Sequence, residues 1–497
     1  MEQVNISKDQ KKLLVWCVFA FAIIVNIYLY VHIQCNFPHL LNDFESPYLE
    51  IAENMYEHGK YSFCDTEDCV PDATVLPVPP IIGYLVFLTF GVGNTALEVI
   101  RIILILSNFG IIILAYYIGK IFNYKIGCAS AFLAAADLSM FCWANNFKPD
   151  MLYAFLSTLS IYFLVRFVKC KQSKKNIILA SFFLGLSVLT KGGLYLLFYP
   201  IAVFLLVFLL FIKKESLMKS LYCVGLFVVI QLVFIMGWQM RNYHATGAYS
   251  YLSSKLGPVV MNSQVAGLIA YQEGISRNEA RKIVRKKYLT EDIMKLDLHE
   301  RGEFLKNLAS KIILNSPLDY AIATLKQSPT LFVGTTPPDF LFSKKKREEL
   351  YVILQLPLHD YIIRNDKSSL PMLSKRVPKY MGGLSSFPLL KKLWNSNHYS
   401  YIFLWSMIKS HILLIYLMTM VGSFLILKDK SDRWVLILMA LIVVYYVAII
   451  GIGPSASRVR CTLMPIFYFL SSYGLIWLGK VLQQFINNRA NCKKLNP

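Results

Sequence analysis

The chain has 497 residues, 56% of them hydrophobic and 14% aromatic, with a mean hydropathy of +0.49. Apolar runs near 20 residues long, on top of that composition, exclude an ordinary soluble domain and indicate a polytopic helical membrane protein. The formal charge of +21 is no argument for nucleic acid here, because basic residues in a membrane protein mark the cytoplasmic loops.

The first run, 13–33, has no small-residue cleavage site after it and is expected to persist as a helix rather than leave as a signal peptide. An acidic stretch follows. Residues 34–78 hold nine carboxylates (Asp43, Glu45, Glu50, Glu53, Glu57, Asp65, Glu67, Asp68 and Asp72) against one cation, Lys60. Glu50, Glu53 and Glu57 recur at intervals of three and four and form one wet helix face. Asp43 and Glu45 precede that helix, next to the membrane surface. Cys64 and Cys69 share this loop with Cys35 nearby, where a disulfide and free thiols are both open readings.

Residues 79–93, "PPIIGYLVFLTFGVG", open on two prolines and are too short to cross, since a straight span needs about 20 residues. Further apolar runs lie at about 98–118, 126–145, 151–168, 176–190, 194–212, 220–240, 402–427, 433–452 and 461–480. If 79–93 lies at the outer surface or is re-entrant, and the N-terminus is cytoplasmic, twenty basic residues, including Lys8, Lys11, Lys12, the 166–175 cluster and the 428–433 turn, collect on the inside. If 79–93 crossed, those clusters would face outward. The expectation is therefore an all-α protein of about ten transmembrane helices with extracytoplasmic juxtamembrane helices. Its three parts are an N-terminal membrane module (1–240) with an acidic outer loop, a large extracytoplasmic loop (241–401) and the C-terminal helices (402–497). The large loop carries 24 Lys/Arg against 13 Asp/Glu and two capping boxes, Ser276–Glu279 and Asp297–Glu300. Its "SKKKRE" run at 343–348 reads first as a solvated charge run.

The topology gathers the reactive residues on the outer face. Asp150 opens the run at 151 after "WANNFKP", as a helix N-cap or as a second acid beside Asp43 and Glu45. Asp137 lies inside a span, where acids are rare; it is a functional acid or a hydrogen-bonding partner of a neighbouring helix. Lys191, Arg241, Arg458 and Arg460 stand at outer helix ends, either as headgroup anchors or as a phosphate clamp. A carboxylate base beside such a clamp suits transfer of a group away from a lipid-anchored phosphate. No His/Cys metal spacing, phosphate-gripping glycine loop or G-x-S-x-G occurs. A divalent cation on the acidic loop is the one cofactor the residues allow.

The chain resembles the GT-C class of integral-membrane glycosyltransferases that use polyprenyl-phosphate sugars, nearest the bacterial relatives of the protein O-mannosyltransferases and the lipid A aminoarabinose transferases. The resemblance is carried in order by "NDFESPYLEIAENMYEHGKYS", "VPPIIGYLVFL", "KPDMLYAFLSTLSIYF", "GLSVLTKGGLYLLFYP", "WQMRNYHATGAY" and "SRVRCTLMPIF". It implies an outward-facing cavity for the lipid phosphate, Asp43 or Glu45 as catalytic base, Asp150 as second acid, and Lys191, Arg241, Arg458 and Arg460 on the phosphate. Asp43 and Glu45 lie five and three residues before Tyr48, and that spacing does not choose between them. Val78 stands where the aminoarabinose branch has Lys, which argues against a lipid A acceptor. The chain ends soon after the last span, so no appended soluble domain is expected.

The expected function is transfer, with inversion, of a sugar from an undecaprenyl-phosphate-type donor to a glycan, lipid or protein acceptor outside the cytoplasm, in a bacterial inner membrane. The partners are that donor, the acceptor and membrane lipids. A transporter or flippase of lipid-linked sugars, using the same acids and cations without bond cleavage, is the alternative.

Overall fold

The computed structural model describes residues 7–36, 46–63, 71–145, 148–170, 172–247, 256–296, 298–333, 399–450 and 456–495. It is an all-α polytopic membrane protein. Among the described residues six helices are long and apolar enough to cross a bilayer: α1 (Lys8–Asn36), α4 (Asn94–Lys120), α7 (Asp150–Lys169), α10 (Leu217–Thr246), α18 (Tyr399–Lys428) and α21 (Met464–Leu495). Between them pack shorter rods: α5 (Tyr124–Ala135) with α6 (Leu138–Ala144), α8 (Lys174–Thr190), α9 (Phe198–Val207) continued by a π-turn to Ile212, and α19 (Arg433–Ile450). Each of the ten expected spans thus has its helix among the described residues.

One run differs from its sequence expectation. Residues 126–145 read as a single apolar span, but the helix stops at Ala135 and restarts at Leu138. Asp137 is the cause. Its Oδ1 accepts from the backbone N–H of Ser139 at 2.9 Å and caps α6, while Oδ2 accepts from the Tyr468 hydroxyl at 2.7 Å. The acid stays buried because both oxygens are satisfied.

The 79–93 segment forms α3 (Val78–Phe90), with prolines in its first turn where no N–H partner is needed. Thirteen residues rise about 20 Å, well short of a hydrocarbon core. α3 lies instead against α2 (Pro47–His58), where Gly83 brings the two backbones so close that an added Cβ would sit 2.8 Å from the Cβ of Ala52. On α2, Leu49, Ile51 and Ala52 face inward. Glu50 and Glu57 are exposed and Glu53 half-buried, as their spacing predicts. Gly59 ends the helix in the left-handed conformation, φ 64°.

The described part of the insertion folds into α11 (Leu256–Val260), α12 (Ala266–Gln272), α13 (Arg277–Tyr288), α14 (Glu291–Lys295), α15 (Leu298–Asn315), α16 (Pro317–Gln327) and α17 (Pro329–Val333). Met261, Val265, Ala280, Val284, Leu305 and Ala309 form its core. The capping box at Ser276–Glu279 is complete, each side chain bonding the other's backbone N–H. Asp297, the "SKKKRE" run, Cys64 and Cys69 lie outside the described residues.

α7 is tied at both ends. At its C-terminal end Lys169 pairs with Asp432 of the α18–α19 turn, whose other oxygen accepts from the Tyr473 hydroxyl at 3.0 Å. Its N-terminal end, about 30 Å away by helix rise, carries Asp150.

Candidate functional site

Three distant stretches of chain meet at Asp150. The first is its own helix, which starts directly after Pro149. The second is the end of α8. α8 packs back along α7, and the hairpin is stitched by Ser160 Oγ donating to the Ala180 carbonyl at 2.8 Å and Ser187 Oγ to the Tyr153 carbonyl at 3.4 Å. The start of α7 therefore faces the end of α8. There Lys191 leaves the helix with an extended backbone before the tight Gly192–Leu194 turn. Its Nζ lies 2.5 Å from Asp150 Oδ1 and 5.7 Å from the centre of the Tyr153 ring. An acid at a helix N-terminus and a cation at a helix C-terminus each meet a favourable dipole, so both helix ends reinforce the pair.

The third stretch is α20 (Ala456–Arg460), the short turn before α21. It is held by the Tyr446 hydroxyl, which donates to the Val459 carbonyl at 2.8 Å. From it Arg458 Nε reaches to 3.2 Å of Asp150 Oδ2 as an ion pair. The contact lacks hydrogen-bond alignment, and both Asp150 Oδ2 and Arg458 Nε are buried without a hydrogen-bond partner. Buried polar atoms in that condition mark a place for a ligand or water. Arg458 itself is 31% exposed at the side chain, against 3% for Asp150, so the cluster opens on the arginine side.

Tyr48, at the start of α2, borders the cluster. Burial first, and the Asp150 charge second, push its phenol up to about 12. With Lys148, Pro149, Leu152, Pro79, Gly83 and Ile100 it lines an apolar cleft between α2, α3, α4 and α7. A cluster of one carboxylate and two cations, with Lys148 close by, carries net positive charge beside an apolar cleft whose lining includes Tyr48, Lys148 and Pro149. That combination accommodates an anionic headgroup on a greasy tail.

The other expected site residues are placed apart from Asp150 or are not described. Asp43 and Glu45 lie outside the described residues; the chain resumes at Ser46, two residues before Tyr48. Arg241 does not join the cluster. Its guanidinium donates to the Asp72 carbonyl at 2.5 Å and to Asn242 Oδ1 at 3.0 Å, and stacks on Tyr61 and Trp238 with centroid distances of 4.6 and 4.9 Å. It pins the first loop to the end of α10. Arg460, only two residues from Arg458, faces the other way, because i and i+2 do not share a helix face. It is 1% exposed and donates to the Phe332 carbonyl at 2.6 Å. Among the described residues no group of three His, Cys, Asp or Glu side chains could hold a metal ion.

Sequence reasoning used Tyr48 only as a spacing marker and gave Lys148 no role at the site. The signal for both was their neighbourhood, Tyr48 beside the acidic motif and Lys148 two residues before Asp150. Tyr446 carried no signal, since an aromatic inside a span is ordinary core.

Residues 77–238 match the family described as dolichyl-phosphate-mannose-protein mannosyltransferase, which bears out the resemblance carried by the sequence motifs. No curated protein matches the chain. Among solved structures, ArnT from Cupriavidus metallidurans bound to undecaprenyl phosphate aligns with a TM-score of 0.41 and 13% identity, over 93% of this chain and 76% of that one. The Archaeoglobus fulgidus oligosaccharyltransferase tethered to an acceptor peptide gives 0.49 and 12%, over 95% and 50%. The archaeal oligosaccharyltransferase AglB from the same organism, in complex with an inhibitory peptide and dolichol phosphate, gives 0.46 and 11%, over 97% and 52%. The chain spans about half the length of the archaeal enzymes. At these values the likeness does not extend to substrates or residue roles.

Proposed function

We propose, from the family match over residues 77–238 and the cluster at Asp150, that the protein is a membrane glycosyltransferase using a polyprenyl-phosphate-linked sugar. The single observation that carries this reading is the Asp150–Lys191–Arg458 cluster, a shielded, net cationic group whose Arg458 Nε lacks a hydrogen-bond acceptor, beside an apolar cleft lined by its neighbours Tyr48 and Lys148. A lipid phosphate supplies oxygens for the cations and a tail for the cleft.

In this reading Lys191 and Arg458 bind the donor phosphate, and Asp150 holds both cations in place rather than accepting a proton. An acceptor hydroxyl attacks the anomeric carbon, forming the new C–O bond. The bond from that carbon to the phosphate oxygen breaks, and the electron pair leaves with polyprenyl phosphate. The cations stabilise the charge as it grows on the phosphate. The hydroxyl proton passes to Asp43 or Glu45, a carboxylate base on the chain leading into Tyr48. Attack from the face opposite the phosphate inverts the anomeric centre. In this reading the cluster lies on the side of a bacterial inner membrane away from the cytoplasm, which the basic-residue bias supports as to side. The acceptor is an extracytoplasmic glycan, lipid or protein.

The test is a binding and turnover measurement on purified protein in lipid nanodiscs. Undecaprenyl phosphate should bind the native protein, and Lys191→Ala and Arg458→Ala should each weaken binding by about tenfold or more, as expected for a charge-assisted contact worth ~1.5–3 kcal/mol. With a polyprenyl-phosphate sugar and an acceptor extract, free polyprenyl phosphate should be released. A protein that moves the donor between leaflets of a vesicle without ever releasing the free lipid phosphate would be a flippase, and the transferase reading would fail.

A further inference from the structure

The insertion presents a surface that its own core does not use. α16 turns Ala323 and Thr324 inward. Its opposite face is Leu318, Ala321 and Leu325, spaced three and four apart, and Leu314 in the last turn of α15 extends it. The three leucines are 73%, 71% and 66% exposed. A helix facing water would place its charges on that side. α16 does the reverse. Asp319 Oδ2 accepts from Gln272 Nε2 at 2.8 Å, and Lys326 Nζ lies 4.7 Å over the ring of Tyr271, so both ionisable side chains are drawn aside onto the end of α12.

The position of α16 along the bundle is set by three contacts. Gln264 Nε2 donates to the Ile449 carbonyl at 2.8 Å, in the last turn of α19. α16 packs against α19 directly. One residue beyond α16, α17 enters the membrane bundle: Leu331 is 3% exposed, and the Phe332 ring meets Tyr416 and Phe467 edge-on at 5.7 and 6.0 Å. α16 therefore sits beside α19, whose own exterior is apolar, with Val444 and Ile449 67% and 37% exposed.

We propose that the Leu314–Leu318–Leu325 face of α16 is immersed in the bilayer at its boundary zone, so that the insertion is anchored in lipid as well as joined to the bundle. The occupant is the glycerol and upper acyl-chain region of the lipid. Its place beside a lipid-facing span favours it, as does an apolar face from which both charged side chains of α16 are drawn aside. The inference does not depend on the sugar-transfer reading.

The experiment uses full-length protein carrying the photoreactive side chain p-benzoylphenylalanine in place of Leu318, Leu325 or, as a control, Lys282 on the exposed face of α13. Each replaced side chain is exposed, so folding is not at stake. The protein is reconstituted into phosphatidylethanolamine–phosphatidylglycerol vesicles, irradiated and read by intact mass. Lipid-mass adducts are expected at 318 and 325, at least fivefold above those at 282. Adducts no more frequent than at 282 would overturn the proposal. So would crosslinks between two copies, or crosslinks within the chain to residues 334–398, since each names a different occupant.

Discussion

Lys191 and Asp150 lie 41 positions apart in the chain and 2.5 Å apart in space, at the open end of the α7–α8 hairpin. The carboxylate is 3% exposed and the lysine 24%, so the pair is shielded from solvent without being sealed from it. Arg458, on the other oxygen, turns the pair into a three-charge cluster.

Asp150 is shared by two cations, and removing it leaves both without their carboxylate. Asp150→Asn should destabilise the protein by about 3–5 kcal/mol. Asp150→Asn combined with Lys191→Met should recover part of that, because one of the two uncompensated cations is gone. Thermal unfolding in detergent measures both. Undecaprenyl phosphate binding should stay weak in the double variant, which separates the cluster's stability role from its proposed binding role.

Asp43→Asn and Glu45→Gln test the base. One of them should lower turnover by about 10²–10⁴-fold, the usual contribution of a positioned general base, with undecaprenyl phosphate binding unchanged. The other should retain activity within a few-fold. Equal activity in both would remove the first loop from the chemistry.

The packing of α18 on α21 depends on two glycines. A Cβ at Gly422 would lie 1.9 Å from the Leu470 carbonyl oxygen, and one at Gly474 would lie 2.3 Å from that of Met418. Backbone has to move in either case. Gly422→Ala should therefore destabilise by about 1–3 kcal/mol, the range for overpacking. Gly225→Ala in α10, with nothing within 4 Å of the added carbon, should be neutral or slightly stabilising. Unfolding midpoints of the two variants give the contrast.

Tyr48 predicts an alkaline limb in stability. Burial and the Asp150 charge raise its phenol to about 12 in the folded protein, from the ordinary tyrosine value of about 10 in the unfolded chain. Between those values the folded chain holds a proton that the unfolded chain has lost, so stability falls as pH rises through that window. Below pH 10 the contribution is fully present. Tyr48→Phe should flatten this limb and leave the neutral-pH midpoint little changed, as read by unfolding at pH 8, 10 and 11.

Much of the fold was legible because hydropathy reports length. Run lengths and basic-residue bias separated α3 from the spans, and three-and-four spacing identified the wet face of α2. The break at Asp137 was not legible, since an acid inside an apolar run reads alike whether it caps a new helix or faces a neighbour. Of the site, residue types and membrane level could be read, but orientation could not. Arg458 and Arg460 look interchangeable in "SRVRC", yet one meets Asp150 and the other the Phe332 carbonyl. Arg241 reads as one more outer cation, yet Tyr61, Trp238 and Asp72 hold it.

By itself the sequence determined where the apolar runs lie and their order along the chain, because these follow from transfer of side chains and backbone between water and lipid along one dimension. Only the tertiary structure decided which charges touch. Contact between Asp150, Lys191 and Arg458 requires the α7–α8 hairpin to close and α20 to fold over it. No one-dimensional property of the chain specifies where two helix faces will meet.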